Sequence, residues 1–230
     1  MTEPARRSVV HFAMRATAVG LCAFVLVAAY VALGGTPLLC SPVRADESAA
    51  IATLKNIATA QRAFRDAAHV DRDGDGIGEF GSFGELAGSA NLRWASANSG
   101  APLPLSVPLL SRAFATLVDG CVERSGYRFR LHLPSGNGTF VSDAFERVCA
   151  NTAETRFCIY AWPTGESAGK RVFFVDEQDD VWASRNDDLR YCGRERPIPV
   201  DAALPSSDAD EPEEPGVRRG RDGALWGIVN

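Results

Sequence analysis

Residues 126 to 134, GYRFRLHLP, alternate strictly. Tyr127, Phe129, Leu131 and Leu133 are apolar, and Arg128, Arg130 and His132 stand between them. A period of two predicts a β-strand with one buried face and one wet face. The turn PSGNG leads into TFVSDAF, and RFCIYAWP, KRVFFVD and DVWAS read as three further strands joined by TGESAG and EQD. Joints this short suggest antiparallel hairpins. Upstream the period lengthens. Residues 46 to 69, DESAAIATLKNIATAQRAFRDAAH, lack glycine and proline and carry Ile51, Leu54, Ile57 or Ala58, Gln61 and Phe64 at steps of three and four. That spacing predicts a helix with one apolar face. Asp46 and Glu47 stand at its start, where the helix dipole favours negative charge, and Asp46 or Ser48 is placed to cap it. FGELAG and PLLSRAFATL read as short segments of about one helical turn each.

The pattern of the first 45 residues is different again. No charged residue occurs from Ala16 to Val43, and residues 16–33 are apolar enough to cross most of a bilayer as a helix. Arg6, Arg7 and Arg15 precede the run, so residues 1–15 are expected on the cytoplasmic side and the rest of the chain outside. Two outcomes are open for residues 16–39. As a retained anchor they make the protein a single-pass protein of a bacterial-type inner membrane; as a signal segment cut after Ala45 they release a secreted or periplasmic chain beginning at Asp46. Pro37 and Pro42 separate the apolar run from the helix that follows. At the other end pattern is lost after Cys192. Residues 201–215 hold six carboxylates, three prolines and no base, so residues 196–230 read as an acidic, disordered tail whose final LWGIVN docks weakly or not at all.

The elements together give an α+β expectation: a long N-terminal helix, an irregular connection and an antiparallel β-meander over residues 46–195, preceded by one membrane helix or signal segment. ESAAIATLKNIATAQRAF resembles the second half of the first helix in type IV pilins and the pseudopilins of type II secretion, and SGYRFRLHLP, CIYAWP and GKRVFFVDEQDDVWAS resemble the sheet of pilin-like exported proteins. The resemblance implies a pilin-like domain, with other envelope proteins as partners. It also has departures. His11 stands before Phe12 where prepilin processing uses a glycine, and Ala16 takes the place of the glutamate that registers subunits in a filament.

DRDGDGIGEFG, residues 71–81, carries the one candidate chemistry. Asp71, Asp73, Asp75 and Gly76 match positions 1, 3, 5 and 6 of a calcium loop, where carboxylates converge on one side of a tight turn. Position 12, usually a bidentate glutamate, is Ser82, so Glu79 at position 9 is read as the substitute, with Glu85 further on. The set Asp71, Asp73, Asp75 and Glu79 implies Ca²⁺ as a cofactor. The competing reading is a solvated Asp/Gly turn at a helix end.

Charge and cysteine content narrow the rest. A net charge of −5 argues against nucleic acid, and alternate arginines on a strand usually keep a sheet face hydrated. Six cysteines are present; Cys121, Cys149, Cys158 and Cys192 lie in the globular part without zinc spacing, and an exported chain predicts two disulfides among them with the pairing open. The three histidines, His11, His69 and His132, are scattered, and no nucleophile or phosphate-loop motif occurs, so no enzymatic function is expected. Two functions follow: a non-enzymatic structural or accessory protein of the cell envelope, attached to the membrane through residues 16–33, or a secreted calcium-dependent binding module.

Overall fold

The structure, a computed structural model, describes residues 42–93, 103–142, 145–205 and 214–229. Helix α1 spans Pro42–Asp66. Proline suits a first helical turn, because its missing N–H would lack an intrahelical partner there in any case. The start lies upstream of the expected Asp46, so Asp46 and Glu47 fall inside the helix. Glu47 turns inward instead of capping: its carboxylate accepts from the Lys170 amide at 3.0 Å and from Arg171 Nε at 2.8 Å. The apolar face is Ala50, Leu54, Ile57, Ala58 and Phe64, all buried. The helix ends when Ala68 adopts φ 46°, with its N–H bonded to Arg65 O and the His69 N–H reaching back to Phe64 O. This nested pair satisfies the last carbonyls.

The short helices α2 (Phe83–Leu86) and α3 (Ala150–Ala153) and the strands β1 (Val122–Arg124), β2 (Tyr127–Pro134), β3 (Phe140–Val141), β4 (Cys158–Pro163), β5 (Arg171–Asp176), β6 (Trp182–Arg185), β7 (Val217–Arg219) and β8 (Leu225–Ile228) complete the regular elements. All the strand pairings are antiparallel, in the order β1-β2-β4-β5-β6-β8-β7, with β3 paired to the far end of β2.

The expected α+β plan, a long N-terminal helix feeding a pilin-like meander, is therefore corrected. The fold is a mainly antiparallel half-barrel sheet carrying one helix of substantial length. A meander would keep its strands in chain order, whereas here β8 is inserted between β6 and β7. The inserted strand comes from LWGIVN, which packs Trp226 fully into the interior. The apolar run 16–33 lies outside the described residues. Among the described residues no helix is long and apolar enough to cross a membrane, which gives the expected single-pass inner-membrane placement no support.

Both faces of the sheet are covered, and the core divides accordingly. On one face the cross-strand row Phe129, Ala161, Phe173 and Ala183, with Leu131, Ile159 and Val175 beside it, packs in one cluster with α1. On the other, Cys158, Tyr160, Trp162, Val172, Phe174, Trp182 and Trp226 form a second cluster with Tyr191, Ile198, Ala202 and Ala203. The expected wet face of β2 is thus interior. Arg128 is 2% exposed and His132 5%. Arg128 donates to Val118 O at 3.0 Å, lies 5.8 Å over the Trp162 ring and is ion-paired with Glu123 at 3.4 Å and Asp119 at 3.6 Å, so its charge is matched by protein groups rather than by water alone.

His132 faces the edge of the Tyr160 ring, and its Nε2 is buried without a hydrogen-bond partner among the described residues. Burial, and then the nearby Arg130, lowers its pKa from 6.5 to about 3. The folded value lies below the unfolded one. The unfolded chain therefore takes up a proton that the fold refuses, and stability falls as pH drops below about 6.5. Urea unfolding between pH 7.5 and 4.5 should show the wild type losing up to about 1.4 kcal/mol per pH unit more than His132→Phe. Parallel slopes for the two chains would remove His132 from the acid sensitivity.

Candidate metal centre

The loop that follows α1 is fixed at both ends before any aspartate is considered. Val70 is buried, and the Glu79 amide donates to Val70 O at 2.8 Å, closing the loop at its base. Gln61 makes a two-way bond with the chain beyond: its Nε2 donates to Gly81 O at 2.7 Å and its Oε1 accepts from Gly81 N at 2.8 Å. Gly78 passes so close to the helix end that a Cβ there would sit 2.0 Å from Arg65 O. Only glycine permits that approach.

Within this frame Asp71 folds the turn. Its Oδ1 accepts from Gly74 N at 2.8 Å and its Oδ2 from Gly76 N at 3.1 Å, while Asp75 Oδ1 accepts from Ile77 N at 2.8 Å. Gly74 and Gly76 take φ of 76° and 90°, which side chains rarely tolerate. The result gathers one carboxylate oxygen each from Asp71, Asp73 and Asp75 within 4.8 Å of one another. Asp73 and Asp75 are exposed and Asp71 is half-buried, so the cluster is open to water on one side.

Glu79, the fourth residue of the expected set, does not join them. It is fully buried and committed to arginine: Arg72 donates from its backbone N–H at 3.1 Å and from Nε at 2.9 and 3.1 Å to the two oxygens, and Arg93 Nη1 lies 3.5 Å from Oε2. Glu85 is equally occupied. It closes a capping box with Ser82 at the start of α2 and accepts from Arg93 N at 2.7 Å and Arg93 Nε at 3.1 Å. Arg93 also donates to Phe80 O, and Arg72 Nη2 donates to Val148 O at 2.6 Å. Two buried carboxylates and two arginines thus brace the loop from beneath.

One acidic residue outside the loop is affected by the charge of the aspartates, although the spacing gives no signal of it. Glu154 follows α3, far along the chain, and is 7% exposed, with its Oε1 buried and unpartnered among the described residues. α3 is held against the loop by a bond from Phe80 N to Ala153 O at 2.7 Å. Burial, and then the negative charges of Asp75, Asp73, Glu79 and Asp71, push the Glu154 carboxyl above its ordinary range. Only the fold brings that charge to bear, since the loop precedes Glu154 by half a domain.

The disulfide expectation is corrected. Among the described residues Cys121, Cys149, Cys158 and Cys192 form no disulfide with one another, and their settings differ. Cys158 is buried in the second cluster, and burial pushes its thiol up. Cys121 lies in the same cluster, its Sγ 3.5 Å from Asp119 O. Cys192 belongs to the turn closed on Arg196. Cys149 precedes α3, where hydrogen bonds from the Thr152 side chain and backbone, with Arg72 nearby, lower its thiol.

Two outcomes follow. Iodoacetamide at neutral pH, without reductant, should modify Cys149 well ahead of Cys158 in the folded chain and reach all four after unfolding; protection of any two after unfolding would restore a disulfide. Glu79→Gln leaves buried arginine charge unmatched and should lower unfolding stability by about 3–5 kcal/mol in denaturant titration, a loss below 1 kcal/mol showing that the brace is dispensable.

No protein-family model, curated protein or solved structure matches the chain, so the likeness to pilins rests on the quoted sequence stretches alone.

Proposed function

We propose that the protein is a non-enzymatic, calcium-dependent binding module whose ion sits among Asp71, Asp73 and Asp75. The observation that carries this reading is the convergence of the three carboxylates within 4.8 Å on a turn that Asp71 itself organises. Three negative charges at that spacing repel one another by roughly 1 kcal/mol per pair even in water. A divalent cation reverses the sign of that interaction. Calcium is favoured over magnesium because it accepts six to eight oxygens in flexible geometry, which suits an exposed turn where water and backbone carbonyls complete the shell. The non-enzymatic part is supported by the settings of the histidines: the His69 ring packs at a tilt against Phe64, 5.3 Å between centroids, and His132 is sealed in the core. An envelope scaffold, the other function expected, relied on a pilin-like plan that the strand order replaces.

Calcium should raise stability by RT ln(1 + [Ca²⁺]/Kd). With a Kd of roughly 10⁻⁴ to 10⁻³ M, about 10 mM calcium adds about 1.4–2.7 kcal/mol, read as a rise of a few degrees in Tm. The double substitution Asp73→Asn, Asp75→Asn should erase that rise. If calcium shifts the wild type and the double variant equally, or shifts neither, the loop is a turn and the reading fails.

A further inference from the structure

We infer that the cleft over the second half of β2, between β3 and residues 197–200, binds a small organic anion, a carboxylate carried on an apolar body. The inference is independent of the calcium reading. The cleft has a volume of about 500 Å³, within the range of small-molecule sites. Its charged lining comes from Arg130 and Arg147, and among the described residues no carboxylate takes part. In a chain of net charge −5 that balance stands out. His132 and Ser142 add neutral polar groups, and Phe140, Val141, Ile198 and Val200 supply apolar surface.

The observation that points to an occupant is hydrogen-bonding capacity left unspent. Arg130 and His132 stand two residues apart on one face of β2, opposite Tyr160 and Cys158 of β4. Arg130 Nη2 donates to Asp119 O at 2.7 Å and the guanidinium lies 5.8 Å over the Trp162 ring, yet its Nε is buried with no partner among the described residues. His132, 5% exposed, has its Nε2 in the same condition. Two buried nitrogens without partners are costly to keep. Burial and the neighbouring Arg130 leave the imidazole uncharged at neutral pH, so it offers a single N–H and no charge of its own. An anion seated in the cleft gives these nitrogens an acceptor, and Arg147, on the exposed rim, adds a charge-assisted bond. The facing wall is built to hold its shape. Cys192 and Arg196 close a turn through backbone bonds of 2.8 and 3.2 Å directly before Pro197, and Pro197 and Pro199 fix the chain on either side of the buried Ile198. A wall already in place lowers the ordering cost of binding.

Naphthoate is the probe, with naphthamide as its uncharged match and inorganic phosphate as an anion without an apolar body. In an amide NMR titration of the full chain in calcium-free buffer, naphthoate should shift Val141, Ile198 and Val200 saturably, with a Kd of about 1 mM or tighter for a molecule of this size. Naphthamide and phosphate should each bind at least fivefold more weakly, a comparison made on the wild type alone and so untouched by any folding defect. Arg147→Gln, a change at an exposed position, should lose at least fivefold in naphthoate affinity with its melting temperature level. No saturation by about 10 mM naphthoate overturns the site. Equal binding of naphthamide overturns the role of the arginines, equal binding of phosphate overturns the apolar half, and an Arg147→Gln chain that binds as wild type puts the anion elsewhere; each of these ends the proposal.

Discussion

The placement of every group around the loop depends on two glutamates that have no access to water. Glu79 and Glu85 are buried, and each is matched by arginine through more than one hydrogen bond. Buried charges are tolerated only when paired and bonded, so Arg72 and Arg93 have little freedom in where they sit. The arginines in turn reach backbone carbonyls, Val148 O and Phe80 O, and so fix main chain as well as side chain. The aspartate turn above is an exposed structure standing on a rigid, charge-matched base. That division lets the turn carry three repelling carboxylates without the surrounding chain giving way.

How much of this was legible in the sequence depends on the range of each interaction. Strand β2 begins and ends where alternation places it, and the buried face of α1 follows the three- and four-residue steps through Phe64, because both periods reflect local geometry. The wet face assigned to Arg128 and His132 did not survive, since what covers it comes from residues 191–204 and Trp226, and alternation in one strand carries no information about a second layer. The aspartate triad was readable from spacing because its three members share one turn. Glu79 was misplaced for an instructive reason. Its position in the loop suggested a ligand, yet arginines at 72 and 93 claim it, and a pairing across the chain outranks a motif position.

The two clusters of the core also explain why a half-open sheet holds. α1 covers one face, and irregular chain between Tyr191 and Ala203 covers the other, with the Tyr160 hydroxyl accepting from Ala203 N at 3.1 Å. Irregular segments bury their polar backbone with difficulty, so such anchors matter more here than they do for the helix. Asn186 plays a similar part, its side chain bonded in both directions to the backbone of Tyr191 at 2.7 and 3.0 Å. These buried amides do for the second face what helix periodicity does for the first.

The seating of β8 against β6 has a consequence for how the chain reaches this state. Synthesis delivers β6 well before residues 225–228, so through that interval β6 presents an unpaired edge beside the aromatic cavity that Trp226 will fill. An open edge next to exposed aromatic surface is the geometry that recruits strands from other molecules. The last described segment thus acts as the domain's own edge guard, and the interval before it arrives is when nascent chains are most prone to stick to one another.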